Sequence, residues 1–317
     1  MKEKLFLLTS KRVAARLTNV FDFVWPTAAA IWNLRWQVTG YLQVNPSASH
    51  AEVSGRFVAG SGIKGANLHR ACLDTSWEDQ QQEFARFLLV EFCALYETWC
   101  EGALVELGQP ASLAKSFQFP TTFTVGSPTK GVGYGIASVN TTQSQTMIGA
   151  IYPALCRNLK YSKPYLEELL KCYRYFKELR NALVHSGGTT STSFLDAQAD
   201  YLTLTPASLG VREVPNHIPQ TSNENFKISL RGVVGLGEII LKLICTLDAE
   251  LVQSSSAELA FLSRWKEKHG AGMICMASDS QARQGRILRL VRQLDLPAPI
   301  VTPQLDTLLK TQGFITY

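Results

Sequence analysis

Apolar residues recur at helical spacing along most of this chain, and one run is especially regular. Leu169, Cys172, Phe176, Leu179 and Leu183 are three or four residues apart, which predicts a helix that buries one face. At about 100° per residue, Arg174, Glu178, Asn181 and His185 fall on nearly the opposite side. Arg180 lies between, roughly 65° from the centre of the buried stripe, so its stem can pack while its guanidinium reaches outward. Gly187 or Gly188 suits a left-handed cap that stops the helix, and His185 then sits at the negative end of its dipole. An earlier segment is apolar on most sides (Phe84, Phe87, Leu88, Phe92, Leu95, Trp99) and predicts a central helix. Thr75-x2-Glu78 fits a capping box at its start. Leu230 to Leu251 predicts a third long helix.

The intervening segments read differently. Residues 1–45 look helical and tryptophan-rich (Trp25, Trp32, Trp36), with a kink expected at Pro26. Residues 46–76 read as a Gly/Ser-rich connection with short strands. Residues 118–146 read as a long loop or hairpin inserted into the helical body. In 189–226, Tyr201-Leu202-Thr203-Leu204 and Phe226-Lys227-Ile228 suggest a small β excursion among prolines. Gln281–Leu294 and Thr302–Thr311 predict two closing helices, a helix-turn-helix-like unit. The expected fold is mainly α: an N-terminal helical and irregular extension (1–76), a helical domain (77–255) with insertions at 118–146 and 189–226, and a basic helical segment (256–317).

Composition narrows the class. With 317 residues and 46% hydrophobic content, the chain is long enough to bury a substantial core. Its seven cysteines are odd in number, scattered and without a Cys-x2-Cys pair, and four (Cys93, Cys100, Cys172, Cys245) fall inside apolar helical patterns. Buried thiols in a reducing, cytoplasmic setting are expected. The most hydrophobic stretch, Val20 to Trp36, is broken by Asp22, Pro26, Asn33 and Arg35, so no membrane span is expected. Of the net charge of +5, +3 lies in the last 62 residues. There Arg283, Arg286, Arg289 and Arg292 recur every third residue, a candidate nucleic-acid-binding surface that wraps half the helix.

The chemistry points most strongly to Arg180 and His185. The same Arg-x4-His spacing recurs at 212–217 and 264–269. Pro215 prevents the first of these from being helical throughout, and the second could end a helix at Gly270 but sits among charged neighbours. Gly60-x-Gly62-x2-Gly65 has dinucleotide-binding spacing without a following βαβ pattern, and the five histidines lack metal-site spacing, so no cofactor and no metal is expected.

Arg180-Asn181-x3-His185 at a helix end resembles the Arg-x4-6-His signature of the HEPN superfamily (higher eukaryotes and prokaryotes nucleotide-binding), in which Asn, Asp or His often follows the arginine. The resemblance extends from about Trp77 to Leu251, and the flanks carry none that can be named. It implies an antiparallel helical bundle and, for many members, a metal-independent endoribonuclease of toxin–antitoxin, phage-defence or CRISPR systems. Other members are non-catalytic. Members pair as dimers, which implies a homodimer here and, for a toxin, an antitoxin or other regulatory partner.

RNA cleavage without metal uses the ribose 2′-OH as the nucleophile. It needs a base, an acid and a cation for the charge on the phosphorane. His185 suits the proton transfers near neutrality, and Arg180 offers a planar fork to the phosphoryl oxygens. Asn181, Glu178 and Arg174 are the expected supporting residues. One imidazole cannot be base and acid in the same step, so two subunits are expected to contribute to one composite site. Two other readings stand beside this one. One is a non-catalytic module binding RNA, a nucleotide or a protein, with Arg180 and His185 bonded to Glu178 and Glu168. The other is a regulator that contacts nucleic acid through its C-terminal basic helix.

Overall fold

Two carboxylates from distant parts of the chain hold the start of the first helix in the computed structural model, which describes residues 5–185, 191–218, 220, 226–300 and 303–317. Helix α1 (Leu8–Val44) has no side-chain cap of its own. The backbone N–H groups of Phe6 and Leu7 donate to the two oxygens of Asp248 (2.7 and 2.9 Å), and those of Leu8 and Thr9 donate to Glu106 (2.8 and 2.9 Å). The unpaired donors of a helix N-terminus are thereby satisfied from outside the helix, and both negative charges lie at the positive end of its dipole. Pro26 lies inside α1, which continues through it.

The connection expected over 46–76 is helical where strands were foreseen. Helix α2 (His50–Phe57) opens with a complete Ser49–Glu52 capping box, and Arg70–Asp74 forms a turn of π-helix. Val53, Leu68 and Cys72 pack on Val38 and Leu42 in a small core of their own. Arg35 closes the turn by donating to the carbonyls of Ala71 and Thr75 (2.7 and 2.8 Å). Helix α3 (Trp77–Glu106) starts one residue later than its sequence suggested. Ser76 is the cap and accepts from the Asp79 N–H at 3.0 Å.

The 118–146 insertion contains the expected hairpin, β1 (Thr122–Thr124) against β2 (Ser127–Lys130), but continues into helix α4 (Gly131–Val139). After the short helix α5 (Tyr152–Leu155) comes α6 (Leu166–His185), the helix anticipated from its periodicity. The β excursion in 189–226 is overturned among the described residues. Tyr201 and Leu202 end helix α7 (Thr192–Leu202), and Pro206–Leu209 forms helix α8. Ser191 caps α7, and Phe194, Ala197 and Tyr201 bury themselves at helical spacing, which overrides the strand propensity of the Tyr-Leu-Thr-Leu run.

Helix α9 (Leu230–Leu251) is buried over most of its surface and packs against α1, α3 and α6, while α7 lies along α6. α10 (Ser255–His269) ends at Gly270 as anticipated, and α11 (Ser280–Gln293) and α12 (Pro303–Thr311) follow. A parallel pair, β3 (Ile274–Cys275) with β4 (Ile315–Thr316), frames these last two helices. The fold is mainly helical. Cys93, Cys100, Cys172 and Cys245 are all buried, as expected. Among the described residues, no helix is long and apolar enough to cross a membrane.

Two glycines in helices have opposite roles. A Cβ on Gly232 in α9 would lie 1.7 Å from the backbone carbonyl oxygen of Asn216, whereas one on Gly40 in α1 would meet nothing. Gly40→Ala is therefore expected to raise stability by up to about 1 kcal/mol, the ordinary helix-propensity gain. Gly232→Ala should lose about 1–3 kcal/mol despite the same gain, because the 215–217 backbone must move. Urea unfolding midpoints of the two variants check both signs.

Candidate active site at the end of helix α6

Helix α6 is buried on more than the single stripe its sequence suggested. Leu169, Leu170, Cys172, Tyr173, Tyr175, Phe176, Leu179 and Ala182 are all in the core. The reason is that α3 and α9 flank it on one side while α7 covers the edge of the polar face. Arg174 approaches Asp200 of α7 at 3.7 Å. Glu178 receives long hydrogen bonds, both 3.5 Å, from the Asn181 amide and the Ser193 hydroxyl. These three supporting residues do share one side of the helix, as the spacing required, and each is half-buried rather than fully solvated.

Arg180 lies on a different side. Its guanidinium turns into the seam between α6 and α3 and donates to Oε1 of Glu97 at 2.5 Å. The same oxygen receives Lys177 Nζ at 3.0 Å. Lys177 is itself fixed, since it also bonds the side chain of Gln118 and lies 5.5 Å from the centre of the Phe119 ring. The Arg180 side chain is only 18% exposed, and its Nε is buried without a hydrogen-bond partner. Nearby Cys93 is fully buried, which pushes its thiol up to about 12, with the adjacent Arg180 acting weakly in the other direction. That thiol is therefore neutral at ordinary pH and leaves the charge balance unaltered.

The electrostatic outcome is set by three groups. Two cations share one carboxylate, so this cluster retains one positive charge beside the last turns of α6. Glu97 also fixes the direction of the guanidinium, a job suited to a charge-assisted bond in a partly desolvated seam. Arg180 does not bond Glu178, the partner its sequence neighbourhood had suggested for a structural role. His185 closes α6. Its side chain, and the glycines at 187 and 188 expected to stop the helix, lie outside the described residues. Along an ideal helix, positions 180 and 185 are about 7.5 Å apart in rise and about 140° apart in azimuth.

Glu97 and Lys177 are the residues that sequence reasoning missed. A signal for Glu97 exists in hindsight. Cys93, Cys100 and Leu104 are buried at steps that place Glu97 on the same edge of α3, so a carboxylate there demands a cation from elsewhere.

The four C-terminal arginines divide. Arg283 is buried, where its Nε donates to Asp306 at 2.7 Å, and its guanidinium lies 3.7 Å from the centre of the Tyr317 ring. It is a structural tie and does not belong to an exposed surface. Arg286 is exposed and donates to the Cys275 carbonyl (2.8 Å), and Arg289 and Arg292 are exposed.

No protein-family model, curated protein or solved structure matches the chain.

Proposed function

We propose that this chain is an endoribonuclease of the HEPN type, cleaving RNA by attack of the ribose 2′-OH on the adjacent phosphodiester. Two copies of the chain supply one composite site, each contributing Arg180 and His185. The carrying observation is the fixed, net-positive Arg180–Glu97–Lys177 cluster between α3 and the helix that also carries His185. A guanidinium held in one direction is what a phosphorane needs, because preorganised charge requires no rearrangement as the transition state forms. One imidazole takes the proton of the 2′-OH while its symmetry mate protonates the 5′-oxygen that leaves. Asn181, one turn before His185, orients imidazole or substrate, and Glu178 holds Asn181. The toxin or defence setting implies a protein that restrains the activity until it is needed.

A second reading is favoured by a specific observation. The short bond from Arg180 to Glu97 and the burial of its Nε suit a structural guanidinium in a non-catalytic binding module. Incubating defined RNAs with the purified chain in EDTA separates the two. Cleavage that disappears in Arg180→Ala and in His185→Ala, with both variants folded, supports the ribonuclease. Equal cleavage by all three proteins, or none by any, removes it.

A further inference from the structure

A second cationic site, which does not include Arg180, lies between the β1–β2 hairpin and the N-terminal half of α6. There a cavity of about 460 Å³ is walled by Lys115, Lys130, Lys171 and Arg174, with Asp200 as the one carboxylate in its lining. These four cations come from three separate parts of the fold. Lys115 stands on the 3-10 helix Ala111–Gln118, Lys130 ends β2, and Lys171 and Arg174 lie one turn apart on α6. Bringing them to one place costs self-repulsion that Asp200 and the neighbouring Glu168 offset only in part, since the lining itself carries a net charge of +3.

The local carboxylates are already engaged. Glu168 pairs with Lys171 at 2.7 Å. Glu167, just outside the lining, accepts from the Thr121 N–H and hydroxyl at 2.7 and 2.5 Å. Asp200 reaches Arg174 only at 3.7 Å, and Arg174 Nε is buried with no hydrogen-bond partner. Lys115 and Lys130 are exposed and make no ion pair or side-chain hydrogen bond among the described residues. The apolar part of the wall is Phe119 and Pro120, enough to cover a small organic group beside the charge. The volume falls in the range of small-ligand sites.

We infer that this cavity binds a phosphate group, with Arg174 and Lys171 on one wall and Lys115 and Lys130 on the other closing around its oxygens. A phosphate suits this lining because its several oxygens can accept from cations on separate elements, and an arginine offers two parallel N–H groups. The phosphate can belong to a free phosphorylated molecule or to the backbone of an RNA strand. The inference does not rest on the ribonuclease reading: Arg180 does not line the cavity, and Arg174 is shared with that reading only as a supporting residue.

Titration calorimetry of the full chain tests it with inorganic phosphate as the probe, at low ionic strength and against matched sodium chloride. Saturable phosphate binding is expected, weakened about tenfold or more in Lys115→Ala/Lys130→Ala, a pair whose unfolding midpoint without phosphate should match wild type. Arg180→Ala should bind phosphate as wild type does, which separates this site from the proposed active site. Adenosine monophosphate displacing phosphate would assign the site to a free phosphorylated molecule. A ten-nucleotide RNA displacing it, with affinity lost in the double variant, would assign it to a strand. Absence of saturable phosphate binding, or equal affinity in the wild type and the double lysine variant, overturns the inference.

Discussion

Replacing Arg180 by alanine is expected to lower RNA cleavage by about a hundredfold or more, the usual effect of removing one preorganised donor from a developing oxyanion. The surroundings sharpen that expectation. Without Arg180, Lys177 and Glu97 are left as a neutral pair, so the cluster loses its whole net positive charge. Arg180→Lys keeps the charge but not the planar fork, and should recover only part of the rate. His185→Ala is expected to lose a similar factor through proton transfer, and the two losses should not multiply, because both act on the same transition state. Glu97→Gln holds the guanidinium more loosely and should lower the rate less than Arg180→Ala. Single-turnover cleavage of a defined RNA, with circular dichroism to verify folding, measures all four. A wild-type rate in Arg180→Ala would remove the proposal.

The largest stability loss is expected at Asp248. It is fully buried and accepts the N–H groups of Phe6 and Leu7, both buried as well. Asp248→Ala leaves two buried donors without partners, each costing about 1–3 kcal/mol, so a loss of about 2–6 kcal/mol is expected. That is a large share of the roughly 5–15 kcal/mol by which a protein of this kind is stable. Guanidinium unfolding reads the loss directly, and a variant within about 0.5 kcal/mol of wild type would contradict the assigned role.

Asp248 also sets a pH dependence. Burial pushes its carboxyl up from the ordinary 3.8 to about 6, against the opposing hydrogen bonds from Ser10, Phe6 and Leu7. Glu106 nearby pushes the same way as burial. A folded state that holds its proton more tightly than the unfolded chain is favoured while the group is protonated. The contribution is therefore fully present below about pH 3.8 and is lost as pH rises through about 6. The interval corresponds to about 3 kcal/mol. Asp248→Asn, which cannot ionise, should flatten the stability profile between pH 4 and 6 while costing less than alanine.

What the sequence revealed depended on how local each signal was. Helix α6 and its polar residues follow from the spacing of apolar residues within twenty positions. The burial of the cysteines in α3, α6 and α9 follows from the same periodicity. Helix α7 was misread because Tyr201-Leu202-Thr203-Leu204 alternates like a strand, whereas Phe194, Ala197 and Tyr201 carry the longer helical repeat. Helix α2 was missed although Ser49 and Glu52 spell out a capping box. Partners far along the chain left no such trace. The carboxylate that turns Arg180 inward is 83 positions away, and the one that buries Arg283 is 23 away. A stripe of arginines looks alike in sequence whether its first member faces water or an aspartate.

The clamp on the first helix has a consequence for how the chain is made. Phe6 is tied to Asp248 across 242 positions, and Arg264 reaches back to the carbonyl of the same Phe6. During synthesis, then, Glu106 emerges first and can hold Leu8 and Thr9, while Phe6 and Leu7 must wait for Asp248, more than 240 positions behind them. Such distant closure makes for slow final assembly, and a ribosome stalled before position 248 would display a nascent chain whose Phe6 and Leu7 still lack their clamp.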